Sequence, residues 1–187
     1  MRISGGIARG ITLVVPKGDA VRPATDGMRQ SVFSSLGERV SGAHFLDLFA
    51  GSGAYGLEAV SRGAASGVFV EKNPKAIACL RRNITAVCKS LSREEASLDI
   101  LPIDVRGLSA SALGNPDLIF IDPPYEIITA FADGLFANLA ATLDRAVDPL
   151  VVFEMPGEME LRPAGWTCVK RLGKGPRQPT VSFFKLA

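Results

Sequence analysis

The chain has 187 residues, of which 47% are hydrophobic and 21% are charged, a balance typical of one globular domain and too apolar for a disordered chain. No apolar run approaches the roughly eighteen residues of a membrane helix, and the first residues lack an apolar signal-peptide core, so we expect a cytoplasmic protein without a membrane span. Three cysteines without a C-x-x-C pair and a single histidine predict neither a disulfide framework nor a metal site.

The net charge of +2 conceals an uneven distribution along the chain. Residues 1–30 carry five basic and two acidic side chains, and residues 162–187 carry six basic side chains and no acidic one. The segment between them has ten basic and seventeen acidic side chains. The two basic ends are either solvated tails or contacts for a polyanion such as RNA, and charge alone does not decide between them.

The predicted elements begin with a β-hairpin arm over residues 1–24, where short β-branched stretches alternate with glycines. A single domain over residues 25–187 follows, opening with a helix from Thr25 or Asp26 to about Val40. Strands and helices then alternate. The predicted helices are 55–62, 74–87 and 130–143, and the predicted strands are 44–49, 67–70, 98–103, 118–121, 150–153, 167–172 and 180–186.

This alternation predicts an α/β fold with a Rossmann-like, mostly parallel sheet and helices on both faces. In such sheets ligands bind beyond the C-terminal ends of the strands, so the residues that follow each strand are the functional candidates. His44 is expected to lie buried at the opposite end of the first strand, in a structural role.

A glycine-rich loop follows the first strand, with Gly51, Gly53 and Gly56 in a G-x-G-x-x-G pattern. Glu71, twenty residues after Gly51, ends the second strand, where a carboxylate can bind ribose hydroxyls. Asp47 would repel a pyrophosphate but attract the ammonium and sulfonium of S-adenosylmethionine. The loop therefore favours S-adenosylmethionine over a nicotinamide dinucleotide, although Asp47 has the alternative of bonding backbone N–H groups of the loop.

Asp104 follows the third strand, where its carboxylate can accept the amino group of adenine while the Val105 backbone meets a ring nitrogen. The alternative is that Asp104 caps the next helix, and the two roles are compatible.

The fourth strand runs into Asp122-Pro-Pro-Tyr125. The Asp122 carboxylate and the Pro123 carbonyl can each accept one N–H of an exocyclic amine, which frees the nitrogen lone pair for attack on a methyl group. Tyr125 can stack on a flipped base. The tetrapeptide therefore predicts methylation of an amino group.

The segments Asp47-Leu-Phe-Ala-Gly-Ser-Gly53 and Asp122-Pro-Pro-Tyr125 resemble those of class I amino-methyltransferases. The segments Arg2-Ile-Ser-Gly-Gly-Ile-Ala-Arg-Gly10 and Arg22-Pro-Ala-Thr-Asp-Gly-Met-Arg29 are similar to the bacterial family that methylates guanine N2 in 16S ribosomal RNA. The resemblance covers nearly the whole chain. It implies a seven-stranded sheet, S-adenosylmethionine as cofactor, and an RNA substrate in the 30S subunit or its assembly intermediate.

The resemblance and the residue patterns together give three sets of candidates. The catalytic candidates are Asp122, Pro123 and Tyr125. The cofactor-binding candidates are Asp47, Gly51, Gly53, Glu71, Lys72, Asp104 and Val105. The RNA-binding candidates are Arg9, Arg22, Arg29, Lys174 and Arg177. The arm and the loop before the last strand are expected to flank Tyr125.

Other functions stay open at this point. The same tetrapeptide serves amino-methyltransferases that act on adenine in DNA or RNA, or on a protein glutamine amide. An NAD-dependent enzyme and an inactive RNA-binding assembly factor are the remaining alternatives. We expect a monomer, and the short chain leaves no room for a separate base-reading domain.

Overall fold

The computed structural model describes residues 1–16, 26–108, 114–173, 175 and 178–187. Its strands are β1 (His44–Leu48), β2 (Ser66–Val70), β3 (Leu98–Leu101), β4 (Leu118–Ile121), β5 (Leu150–Pro156), β6 (Trp166–Leu172) and β7 (Pro179–Leu186). Within these residues the strands form one seven-stranded sheet in the order β3-β2-β1-β4-β5-β7-β6. Neighbours from β3 to β5 are parallel, and β7 is antiparallel to both β5 and β6. The predicted seven-stranded, mostly parallel sheet is confirmed.

Helices cover both faces of the sheet. In the described part of the chain the α-helices are α1 (Asp26–Leu36), α2 (Ala54–Ser61), α3 (Pro74–Ser90) and α4 (Ile128–Thr142). The first three pack into the core on one face, and α4 packs into a second core on the other. No helix among these residues is long and apolar enough to cross a membrane.

Two sequence-based boundaries and one burial prediction need correction. The first helix ends at Leu36, because Gly37 takes a φ of +56° and a 3₁₀ turn continues to Val40. Strand β3 stops at Leu101, since Pro102 has no N–H with which to extend the ladder. His44 is exposed rather than buried, because it is the first residue of β1 at the open N-terminal edge of the sheet.

Over its described residues 1–16, the N-terminal arm is a narrow hairpin with a single antiparallel bridge, Arg2 to Thr12, rather than a pair of regular strands. Its turn lies against the end of α2, where the backbone N of Ile7 donates to the carbonyl of Ser61 at 2.8 Å. Its second half returns to α3, where the backbone N of Val14 donates to Asn83 Oδ1 at 2.8 Å. The arm therefore packs against both α2 and α3.

A buried ion pair ties the arm to the helices. The side chain of Arg29 in α1 is fully buried, and its Nε lies 3.2 Å from Glu58 Oε2 in α2. The Arg29 guanidinium also donates to Asp26 Oδ1 at 2.9 Å and to the carbonyl of Arg2. Glu58 in turn accepts the backbone N–H of Ser4 at 2.8 Å. The structure contradicts the prediction that Arg29 contacts RNA, because its side chain has no exposed surface and its guanidinium is held by Glu58, Asp26 and the Arg2 carbonyl.

We predict that Glu58→Gln lowers the free energy of unfolding by about 3–5 kcal/mol, since it leaves a buried guanidinium without its buried counter-ion. Arg62→Gln is the matched control, because Arg62 is a partly exposed partner of the same carboxylate, 2.9 Å away. Chemical denaturation of both variants measures the difference. A Glu58→Gln loss no larger than that of the control would contradict the assigned role of the pair.

Candidate functional site

A cavity of about 370 Å³ opens at the C-terminal edge of the parallel strands. We call it the pocket. Five of the predicted cofactor residues line it, and these are Gly51, Glu71, Lys72, Asp104 and Val105. Asp122 from the end of β4 also lines it. The arm forms part of the wall through Met1, Val15 and Pro16, a contribution that no sequence pattern indicated.

The glycine loop has the backbone that its sequence requires. Gly51 and Gly53 take φ values of +55° and +84°, in the left-handed region where a side chain is strained. A Cβ on Gly53 would lie 2.5 Å from Leu80 in α3 and 3.0 Å from Leu57 in α2. Gly53 thus allows helix packing close behind the loop, while Gly51 presents its backbone to the pocket.

Glu71 joins the end of β2 to the glycine loop. Its Oε2 accepts the backbone N–H of Gly51 at 2.8 Å, and its Oε1 accepts that of Asn73 at 2.8 Å. Each carboxylate oxygen has a second lone pair, so the group retains the capacity to accept bonds from ligand hydroxyls. The structure thus fixes the carboxylate on the pocket wall.

Asp104 follows β3, and its carboxylate is bound by nearby side chains and by a backbone N–H. Its Oδ1 accepts the backbone N–H of Arg106 at 3.0 Å, which is the capping alternative considered for the sequence. It also pairs with the Arg106 guanidinium at 2.7 Å and with Lys72 Nζ at 2.8 Å. The hydrogen bonds from Arg106 and then Lys72 hold the pKa of Asp104 well below its usual range, so the carboxylate stays charged.

Asp47 lies beneath the start of α2 and not on the pocket wall. Its side chain is buried, and Oδ2 accepts the backbone N–H of Gly56 at 2.9 Å. Of the two roles considered for the sequence, the structure shows the hydrogen bond to the loop backbone. Burial raises the pKa of Asp47 to about 7, against the opposing effect of the bond from Gly56.

The Asp-Pro-Pro-Tyr segment follows β4 at the same edge. Asp122 is partly exposed and lines the pocket together with Pro124, while Pro123 is buried. Tyr125 begins a 3₁₀ turn and is half-buried. Burial, then the charges of Glu154 and Asp47, raises the pKa of Asp122 well above its usual value.

Sequence reasoning missed Glu154 in β5. This buried carboxylate accepts the hydroxyl of Tyr55 at 2.9 Å and that of Tyr125 at 3.5 Å. The only signal in the sequence is an acid within the apolar run Leu150–Met155. Desolvation raises the pKa of Glu154, while the two tyrosine hydroxyls act in the opposite direction.

Of the five predicted RNA contacts, Arg9 and Arg29 fall among the described residues. Arg9 is exposed but lies on the arm turn, beside the end of α2 and away from the glycine loop, so its expected position next to Tyr125 is wrong. Arg22, Lys174 and Arg177 lie outside the described residues. No group of three or more histidine, cysteine or acidic side chains suited to a metal ion occurs in the part of the chain that is described.

Comparison with known sequences identifies relatives. The family model "Conserved hypothetical protein 95" matches residues 1–181. Ribosomal RNA small subunit methyltransferase D of Escherichia coli K12 is 35% identical over 127 residues, which are 67% of this chain and 60% of that protein. The Haemophilus influenzae protein of the same name is 29% identical over 180 residues, 94% of this chain and 89% of that protein.

Comparison with solved structures identifies proteins that share the fold. A hypothetical protein of Thermus thermophilus superposes with a TM-score of 0.77 and 29% identity, covering 98% of each chain. An RNA methyltransferase of Salinibacter ruber, solved with S-adenosylhomocysteine, shares the fold at a TM-score of 0.65 and 15% identity, covering 88% of this chain and 93% of that chain. The sheet is therefore the Rossmann-like sheet of class I methyltransferases. The chain belongs to the Conserved hypothetical protein 95 family, which confirms the family resemblance found in the sequence.

Proposed function

We propose that the protein transfers a methyl group from S-adenosylmethionine to the exocyclic N2 amine of a guanine in 16S ribosomal RNA. The observation that carries this proposal is the Asp122–Tyr125 segment at the mouth of the pocket, in a chain related to small-subunit rRNA methyltransferases. We place the reaction in the cytoplasm, with the enzyme acting as a monomer on the 30S subunit or its assembly intermediate.

The pocket suits S-adenosylmethionine. Its volume of about 370 Å³ lies in the range of small-molecule sites. Glu71 would hold the ribose hydroxyls, and Asp104 with the Val105 backbone would meet the adenine. A dinucleotide-binding sheet of the 3-2-1-4-5-6 order has no strand like β7, which enters antiparallel between β5 and β6. The sheet order therefore favours the methyl donor over NAD.

The Asp-Pro-Pro-Tyr segment would act on the base. The bound cofactor supplies a methyl group on a sulfonium. The Asp122 carboxylate and the Pro123 carbonyl would each accept one N–H of the amine, and the Tyr125 ring would stack on the base. As the new C–N bond forms, the bond between the methyl carbon and the sulfonium sulfur would break and release the neutral thioether. Asp122 would take the proton that the amine loses, because its raised pKa makes it a stronger base than an ordinary carboxylate.

The RNA surface that the described structure supports best is the basic face of α3, defined by Lys75, Arg81, Arg82 and Lys89. All four side chains are exposed, and the helix contains no acidic residue. None of the four forms an ion pair with another described residue. Lys75, Arg82 and Lys89 are seven residues apart and form a stripe about 21 Å long, starting at the pocket edge.

The segment between β6 and β7 is proposed as a second RNA contact. Leu172 at the end of β6 pairs with Val181, and Pro179 at the start of β7 pairs with Pro156 at the end of β5, so the two strands that flank the segment meet it at the same edge of the sheet as Glu154. It contains Lys174 and Arg177. Neutralised phosphates at both contacts would release counterions, which makes the affinity dependent on salt.

Asp122→Ala should abolish methyl transfer, because the attacking amine loses one of its two acceptors. We expect the affinity for S-adenosylmethionine to change much less, and Asp99→Ala on the exposed side of β3 to be fully active. The measurement is tritiated methyl transfer to 30S particles from a strain lacking the enzyme, followed by nucleoside analysis. Wild-type product other than N2-methylguanosine would redirect the proposal to another amino-methyltransferase, and a fully active Asp122→Ala would refute the catalytic assignment.

Glu71→Ala should weaken the binding of S-adenosylmethionine by about 1.5–3 kcal/mol, the range for hydrogen bonds to a charged group. The exposed Glu94→Ala serves as control, and calorimetry measures both dissociation constants. An unchanged dissociation constant for Glu71→Ala would remove Glu71 from the cofactor site.

Changing Lys75, Arg82 and Lys89 together to Ala should reduce the slope of log affinity for RNA against log salt by about 2–3 units, since each neutralised phosphate contributes about 0.7–0.9. The matched control neutralises three cations that already pair with carboxylates, Arg39, Arg162 and Lys185. Filter binding at several salt concentrations gives both slopes. Equal slopes for the two triple variants would show that the basic face of α3 is only a solvated surface.

A further inference from the structure

Glu154 occupies a position next to Asp122 that the sheet register fixes. The last register pair between β4 and β5 is Ile121 with Phe153, so Asp122 and Glu154 are the next residue on each strand. Because side chains alternate along a strand, Glu154 shares the sheet face of Val152, where α1 and α2 pack. Its side chain is only 2% exposed. The carboxylate therefore lies inside the protein, at the edge where the acceptor segment begins.

Both tyrosines of the chain direct their hydroxyls to this carboxylate. The Tyr55 ring is itself fixed, since it is buried and stacks on Phe120 with centroids 5.5 Å apart and planes at 18°. Tyr125 lies in a 3₁₀ turn at the edge and is half-buried. Glu154 thus links the buried, packed Tyr55 ring in the core to the half-buried Tyr125 ring at the edge of the sheet.

A carboxylate in this place is costly for the fold alone. Its neighbours on the same face, Val152 and Val181, are apolar and fully buried. No described basic group lies within ion-pair distance of Glu154, and a buried charge without a paired cation is expensive. An apolar side chain at position 154 would cost less. The presence of an acid there is therefore better explained by a role toward the neighbouring acceptor segment.

We propose that Glu154 is a positioning residue for methyl transfer, whose carboxylate holds the Tyr125 hydroxyl and so fixes the ring against which the acceptor base stacks. This inference rests on the proposed function. An ionised carboxylate has only acceptor sites and takes two hydroxyl donors at once, whereas a glutamine in its place has one acceptor oxygen and an amide that donates. Glu154→Gln therefore keeps the volume of the side chain but removes its charge and offers an acceptor oxygen to only one of the two hydroxyls, while the other hydroxyl faces an amide donor.

Electrostatics support this arrangement. Asp122 from the end of β4 and the two tyrosines, from α2 and from the turn at Tyr125, face Glu154, and the nearby cation is Arg29 in α1. The Arg29 charge lowers the pKa of both Glu154 and Asp122, in opposition to burial. The Arg29 Nη1 atom is buried without a hydrogen-bond partner among the described residues. This interior cation favours an ionised, acceptor-only Glu154.

The first test is a double-mutant cycle on kcat with Glu154→Gln, Tyr125→Phe and the double variant. Glu154→Gln should lower kcat about tenfold, which corresponds to about 1.4 kcal/mol, with the dissociation constant of S-adenosylmethionine within about twofold of wild type. The double variant should be no slower than Tyr125→Phe alone, because Glu154 acts through that hydroxyl. Multiplicative losses in the cycle, or an unchanged kcat in Glu154→Gln, would overturn the proposal.

The second test needs no activity. The chain contains two tyrosines, so tyrosine labelled with ¹³C at Cζ gives two NMR resonances. Glu154→Gln should shift both resonances, while Asp133→Asn on the exposed face of α4 should shift neither. If neither moves in Glu154→Gln, the contact is refuted. If the expected shifts occur but the wild-type protein methylates no RNA, the proposed function fails while the tyrosine contact stands.

Discussion

The buried ion pair between Arg29 and Glu58 organises parts of the molecule that the sheet does not hydrogen-bond to one another. It joins α1 to α2, and through the Arg2 carbonyl and the Ser4 N–H it fixes the first half of the arm. Three residues of that arm, Met1, Val15 and Pro16, form part of the pocket wall. The shape of the pocket therefore depends on an interaction that lies away from its own lining.

The sheet then distributes acidic groups along one edge. Three strands each carry an acid two residues after a buried apolar residue, and the pairs are Phe45 and Asp47, Phe120 and Asp122, and Val152 and Glu154. The three apolar residues lie in the core below α1, α2 and α3. Burial raises the pKa of each of the three carboxyls. A cationic ligand is the complement of such an edge, because its charge stabilises the ionised forms that burial disfavours. This property agrees with the methyl donor that we propose.

Periodic patterns and local motifs were sufficient to predict the strands, the glycine loop and the Asp122–Tyr125 segment. Glu71 was predictable because its spacing from Gly51 in the sequence is enough to place it at the end of β2. The positions of the Arg29 and Arg9 side chains were not predictable, because whether an arginine faces solvent or an interior carboxylate depends on packing between segments distant in sequence. Glu154 escaped for the same reason: an acid in an apolar strand has no local partner, and its two tyrosines lie 99 and 29 residues away.

The docking of the arm also constrains the order of assembly. Two of the hydrogen bonds that hold it connect residues 53 and 69 positions apart, from Ala8 to Ser61 and from Val14 to Asn83. On a ribosome, the arm is synthesised before α2 and α3, so it must wait until α3 has been synthesised before its partners exist. Contacts of such long sequence separation form slowly, because the intervening loop must close first. The part of the pocket wall that the arm provides is therefore completed only after the helices it packs against.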